Sequence, residues 1–201
     1  QIELAEKEVA RCAEDDAFRP LAAMYHELYT KNREDFSVLY GGNIIGALDF
    51  YFKKGRIDLM TSGATSAFMP IYRDYPEAIA AQIEAAVVSF RTAFGRSPSG
   101  FWMPQLGWYP GVEEPLSAYG LQYTVVSTRG ALLGDPTPRT GSYAPVACPN
   151  GFTAFIRDVA ATEAVWSETS GFPADPVYRD FYRDIGFDLP LDYIGPYVEQ
   201  Q

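Results

Sequence analysis

Between Arg56 and Val126 the chain alternates short apolar runs with amphipathic helical ones, and that alternation restricts its fold more than any other feature. Arg56–Thr61 is brief, apolar and flanked by glycines, which reads as a strand. Pro76 then opens a helix that runs through Ala93. Its Ile79, Ile83, Val87 and Phe90 fall on one face, and Gly95 stands just beyond its end. Gly100–Met103 reads as a second strand, Gly111–Tyr119 as a short helix closed by Gly120, and Leu121–Val126 as a third strand. Strand, helix, strand, helix, strand implies parallel pairing through right-handed crossovers. Phe152–Ile156 supplies a fourth strand, and Val177–Tyr182 a helical turn or more. Ahead of this alternation lie three helical stretches, Ile2–Cys12, Leu21–Lys31 and Ile44–Lys53. The fold class expected is therefore α/β, with parallel strands and an N-terminal helical region.

Composition excludes several classes of function. The chain has 201 residues, 47% of them hydrophobic, which is enough for a packed core. Its formal net charge is −10, the wrong sign for neutralising nucleic-acid phosphates or binding anionic membranes. No apolar run approaches the ~18 residues that a membrane span needs. Two cysteines, Cys12 and Cys148, make no disulfide framework, so a reducing, cytoplasmic setting is expected. A single histidine, His26, cannot build a histidine-rich metal site or complete a Ser–His–Asp triad, and it reads as a surface residue. Gly41-Gly42-Asn43 lacks the glycine and lysine spacing of a phosphate loop. No metal and no cofactor are expected. The chain opens at Gln1 in helical sequence without a signal-peptide pattern, so it is expected to be a processed product or a piece of something longer.

In βα folds the chemistry sits where strands end. Thr61 to Ser66 follow the first strand, Pro104 to Tyr109 the second, Ser127 to Gly130 the third, and Arg157-Asp158 the fourth. Trp102, Trp108 and Tyr109 suit a sugar ring, because an aromatic face covers the apolar side of a pyranose; the same residues also fill cores. Thr61, Ser62 and Thr65 can hydrogen-bond sugar hydroxyls or serve ordinary turns. Arg157 and Asp158 can clamp a substrate or pair with each other. Cys148, beside Pro149, has no partner base in view. Glycoside hydrolysis generally needs two carboxyl groups across the scissile bond. These strand ends offer only Asp158; Asp58 lies within the first strand.

The run Gly100-Phe101-Trp102-Met103-Pro104-Gln105 resembles glycoside hydrolase family 57, in particular its α-1,4-glucan branching enzymes. Arg19–Tyr25, Thr61–Pro70, Tyr109–Val112 and Tyr143–Val146 extend the likeness. So do Val165-Trp166-Ser167, Gly171-Phe172-Pro173 and the long run from Asp175 to Gly186. The resemblance implies that residues 1–201 form the middle part of a distorted (β/α)7 TIM-like barrel. It implies α-glucan as ligand, retaining chemistry, and neither metal nor organic cofactor.

Departures from the pattern fall at the positions to which the family assigns catalysis. The residue after Trp-x-Pro, a glutamate nucleophile in the family, is Gln105, and an amide cannot form a glycosyl ester. The neighbouring cysteine position is Leu106, the histidine of the threonine-rich strand end is Ser66, and the strand-one glutamate is Asp58. Asp-x-His of strand three is Ser127-Thr128-Arg129. All of these are expected on or near the catalytic face. The acid/base aspartate of the family belongs to a region beyond Gln201. The resemblance therefore points to a pseudoenzyme that serves as a structural or binding subunit, with protein partners in a larger assembly. Trp102, Trp108, Trp166, Arg157, Asp158 and Ser66 are its expected glucan contacts. The alternative is an active branching enzyme or amylase of which this is one segment.

Overall fold

The computed structural model describes residues 1–14, 16–175, 177 and 185–197. Two compact units emerge, one formed by residues 1–48 with 168–201, the other by residues 49–167.

In the first unit α1 (Ile2–Arg11) buries Ala5 and Glu8. Arg19, at the start of α2 (Arg19–Glu34), donates to the carbonyls of Val9 and Cys12 at 3.2 and 2.7 Å, satisfying acceptors that the end of α1 leaves open. Buried Glu8 accepts from the Arg11 guanidinium, Nη2 to Oε2 at 2.7 Å. That guanidinium is the main reason the Glu8 carboxyl lies below its ordinary range; burial opposes the shift, and the Tyr193 hydroxyl adds to it. Lys7 stands 4.1 Å from the ring centre of Tyr193 on α8 (Leu191–Ile194). The predicted spacing on α2 is present, yet Leu21, Met24 and Leu28 are exposed. A π-helical turn, Asp35–Leu39, extends α2, and Gly41 and Gly42 follow in left-handed conformation. The expected helix at Val177–Tyr182 lies almost wholly outside the described residues.

Helix α3 (Ile44–Lys53) leads into the second unit, where Phe52 meets Phe90 and Phe94 edge-on. The elements that follow are β1 (Met60–Ser62), α4 (Pro76–Phe94), β2 (Gly100–Trp102) and α5 (Glu113–Ala118). Next come β3 (Tyr123–Val126), α6 (Thr128–Leu132), β4 (Val146–Ala147), β5 (Thr153–Ile156) and α7 (Val159–Trp166). The sheet order is β1-β2-β3-β5-β4. The first four strands in that order are parallel, as the alternation predicts, and β4 is antiparallel to β5 at the edge. The sheet is open, since β1 and β4 end it without pairing to each other. The strands are shorter than expected, most of all β1, which begins at Met60 rather than Arg56.

Register explains the two faces. Phe101 is level with Thr61 and Thr124, and all three point toward α4, where Thr61 Oγ1 donates to the Ala86 carbonyl. Phe101 joins Ile79, Ile83, Ala86, Val87, Met103, Leu116 and Phe152 in the core. Burying one such side chain is worth roughly 1.5–3 kcal/mol. Alternation sends Met60, Ser62, Gly100, Trp102, Tyr123, Val125 and Phe155 to the opposite face. There Trp102 and Phe155 keep 39% and 44% of their surface exposed.

Candidate functional site

The carboxyl ends of β2 and β5 frame an open cleft of about 580 Å³. It is lined by Trp102, Arg157, Asp158, Ala161, Thr162, Val165 and Trp166. Four of the six side chains expected to contact a glucan therefore meet in one place. Trp102 is there because β2 ends with it on the face turned away from α4. Arg157 follows β5 directly: its N–H donates to the Val126 carbonyl at 3.1 Å, and its own carbonyl accepts the Thr128 hydroxyl. The backbone at Arg157 is thus pinned on both sides.

Asp158 caps α7, its carboxylate accepting the Ala161 N–H at 2.7 Å, while Thr162 Oγ1 donates to the Asp158 carbonyl at 2.6 Å. Asp158 supports the helix that carries Trp166, whose indole is 75% exposed. The second reading of Arg157 and Asp158, as an ion pair, is not realised: among the described residues Arg157 forms no ion pair. Helix α7 escaped the sequence reading. Its signals were the cap at Asp158 and the spacing of Thr162, Val165 and Trp166, one helical turn or less apart.

Trp108 and Ser66 stand apart from the cleft lining. Trp108 stacks on Phe152, ring centres 6.2 Å apart at 30°, against the core. An apolar site behind the β2 loop claims its indole. Ser66 is exposed on the loop after β1, with φ +50°. The strand-end hydroxyls already have protein partners: Ser62 Oγ donates to the Trp102 carbonyl at 3.0 Å, and Thr65 Oγ1 accepts from Gln82 Nε2 at 2.8 Å.

Backbone strain gathers at the same edge. Among the described residues, the left-handed non-glycine positions are Ser66, Gln105 and Leu106. All three follow the first two strands, and Gln105 is exposed. Such conformations cost of order 1–3 kcal/mol each and persist only where the surroundings impose them. Two glycines bring the loops close enough to do so. A side chain at Gly107 would stand 2.6 Å from the Phe68 ring, and one at Gly63 would stand 3.2 Å from the Met69 methyl and 3.6 Å from Pro104.

One expectation requires correction. Asp58 does not belong to the edge that carries Gln105. It precedes β1 by two residues, so it stands about 13 Å of strand length from Ser62 at the amino end of the sheet. There Tyr123 Oη donates to Asp58 Oδ2 at 2.5 Å. Ser127 follows the carboxyl end of β3, where it was expected, and serves there as the N-cap of α6, accepting the Gly130 N–H at 3.0 Å. The Cys148 thiol is pushed up by burial and by nearby Glu113, which leaves it a poor nucleophile. Among the described residues no group of three His, Cys, Asp or Glu side chains could hold a metal ion, and no helix is long and apolar enough to cross a membrane.

Comparison with known proteins agrees with this architecture. The profile of glycosyl hydrolase family 57 matches residues 2–188. A 1,4-alpha-glucan branching enzyme of Thermococcus kodakarensis is 29% identical over 192 positions, covering 81% of this chain and 28% of its own. The crystal structure of the alpha-amylase AmyC from Thermotoga maritima superposes with a TM-score of 0.88 at 38% identity, covering 98% of this chain and 38% of that one. The branching enzyme of Pyrococcus horikoshii superposes with a TM-score of 0.77 at 27% identity, covering 90% and 36%. The chain thus spans between a quarter and two fifths of the length of these relatives. With a family match across nearly its whole length and an α/β sheet of the same build, the chain belongs to glycosyl hydrolase family 57.

Proposed function

We propose that this chain is a non-catalytic, α-glucan-binding part of a family 57 barrel, working as a binding or structural subunit. The observation that carries the reading is Gln105. It occupies the position of the nucleophile in the family pattern, exposed and left-handed just past β2, and its side chain is an amide. A retaining glycosidase needs a carboxylate there to form and release the glycosyl ester. The backbone at Gln105 is strained, as residues at functional sites often are, while its side chain cannot act as the nucleophile.

The cleft supports the glucan part of the proposal. Two exposed indoles can cover pyranose faces, and Arg157 offers donors to hydroxyls. The barrel part is supported by four parallel strands with α4 packed on one face and Trp102, Tyr123 and Phe155 on the other, which would be the inner wall. The free thiols of Cys12 and Cys148 support a reducing, cytoplasmic setting.

Native gel retardation by glycogen tests the binding claim. The wild-type chain is expected to slow as glycogen is added, and a Trp102→Ala, Trp166→Ala double variant to slow less. Unchanged wild-type mobility at high glycogen would remove the glucan reading and leave a purely structural role.

A further inference from the structure

We infer that Gln82 is a positioning residue for the strand-end rim: its side-chain amide grips Thr65 at both ends and thereby fixes the loop that presents Ser66. The inference rests on the glucan-binding reading. Gln82 lies on α4 between the buried residues Ile79 and Ile83, where helical spacing makes an apolar side chain unremarkable. It is instead a half-buried amide with all of its polarity turned to one neighbour. Gln82 Oε1 accepts the Thr65 N–H at 3.0 Å, and Gln82 Nε2 donates to Thr65 Oγ1 at 2.8 Å. The Gln82 main-chain carbonyl accepts the Ala64 N–H at 3.3 Å as well.

Three hydrogen bonds from one helical residue thus hold two successive loop residues, and the next residue is Ser66 at φ +50°. A serine does not rest in that region unaided. Fixing Ala64 and Thr65 from α4 restricts the backbone immediately before it. The loop is also seated from the other side, since Gly63 lies against Met69, Gln82 and Pro104. Pro104 directly precedes Gln105, so the clamp belongs to the same packed group as the second strained turn. A rim held in advance binds more tightly than one that must be ordered by its ligand.

The test compares wild type with Gln82→Met, which keeps the length and loses the hydrogen bonds, and Gln82→Glu, whose carboxylate can still accept from both the Thr65 N–H and its hydroxyl. Hydrogen exchange at the Thr65 amide is read by NMR without ligand, and affinity for maltoheptaose by calorimetry. Gln82→Met is expected to speed Thr65 exchange about tenfold and to weaken maltoheptaose about fivefold, with both restored toward wild type in Gln82→Glu. Unchanged Thr65 exchange in a folded Gln82→Met chain overturns the clamp. Faster exchange with unchanged maltoheptaose affinity overturns the positioning role and leaves the glucan reading standing. A wild-type chain that binds no maltoheptaose overturns both, with Thr65 exchange still reporting whether the clamp exists.

Discussion

Tyr123 reaches across β2 to Asp58: its hydroxyl, on the first residue of β3, donates at 2.5 Å to a carboxylate that leads into β1. The strand between them leaves room because Gly100 faces the tyrosine; a Cβ there would stand 2.4 Å from Tyr123 Cζ. The ring also meets Phe155 of β5 edge-on, 5.5 Å between centres. One side chain of β3 therefore meets the segment leading into β1, Gly100 of β2 and Phe155 of β5.

Burial and the Asp58 carboxylate push the Tyr123 hydroxyl up to about 12. A tyrosine held neutral in the folded chain contributes stability that is complete below its ordinary value near 10 and is lost as pH rises through the folded value. Wild type is therefore expected to lose melting temperature between about pH 10 and 12. Tyr123→Phe should flatten that part of the curve. A parallel loss in wild type and variant contradicts the assignment.

Gly100→Ala tests the geometry from the other side. The added methyl meets an aromatic ring braced by two partners, so overpacking of about 1–3 kcal/mol is expected in urea unfolding. The same substitution in a Tyr123→Ala background should cost much less. Equal cost in both backgrounds means the ring is not the obstacle.

Acid stability should report on the first unit. The Glu8 carboxyl is held below its ordinary value chiefly by Arg11. Its contribution is present above the unfolded value of about 4.5 and is lost as pH falls through the lower folded value. Wild type is expected to exceed Glu8→Gln in melting temperature at pH 7, with the gap closing below about pH 4.5. A gap that persists unchanged into acid contradicts the pairing.

The cleft makes a simpler prediction. Removing one exposed indole that covers a sugar should cost about 1–2 kcal/mol of maltoheptaose binding, about 5- to 30-fold in Kd. Trp166→Ala should show this with little change in melting temperature, since the side chain is 75% exposed. Trp108→Ala should instead lose stability, because its ring packs on Phe152. The opposite pattern would exchange the roles of the two tryptophans.

The parallel alternation was legible because periodicity reports which face of each element is buried. Ile79, Ile83 and Val87 announced α4, and the apolar runs announced β2, β3 and β5. Strand lengths were not legible, since Arg56 to Leu59 alternate charged and apolar residues as a strand does yet lie outside the ladder. The two-residue β4 carries too little sequence to show a period. At the site, residue type drew attention to Trp102 and Arg157. It could not separate Trp166, exposed in the cleft, from Trp108, stacked on the core, because indoles suit both surroundings. Asp58, expected within the first strand and near the catalytic face, lies ahead of β1 at the amino end for a related reason: a motif gives the order of residues along the chain, and only register gives their height on the sheet. Gln82 had no signal, being one amide among the apolar residues of a helix.

The central claim of the proposal is that this chain performs no glycosyl transfer on α-glucan. It is tested most directly by incubating the purified chain with amylose and following reducing ends and iodine staining against a heat-killed control. No difference from the control is the predicted result. Hydrolysis or branching well above that control would contradict the account.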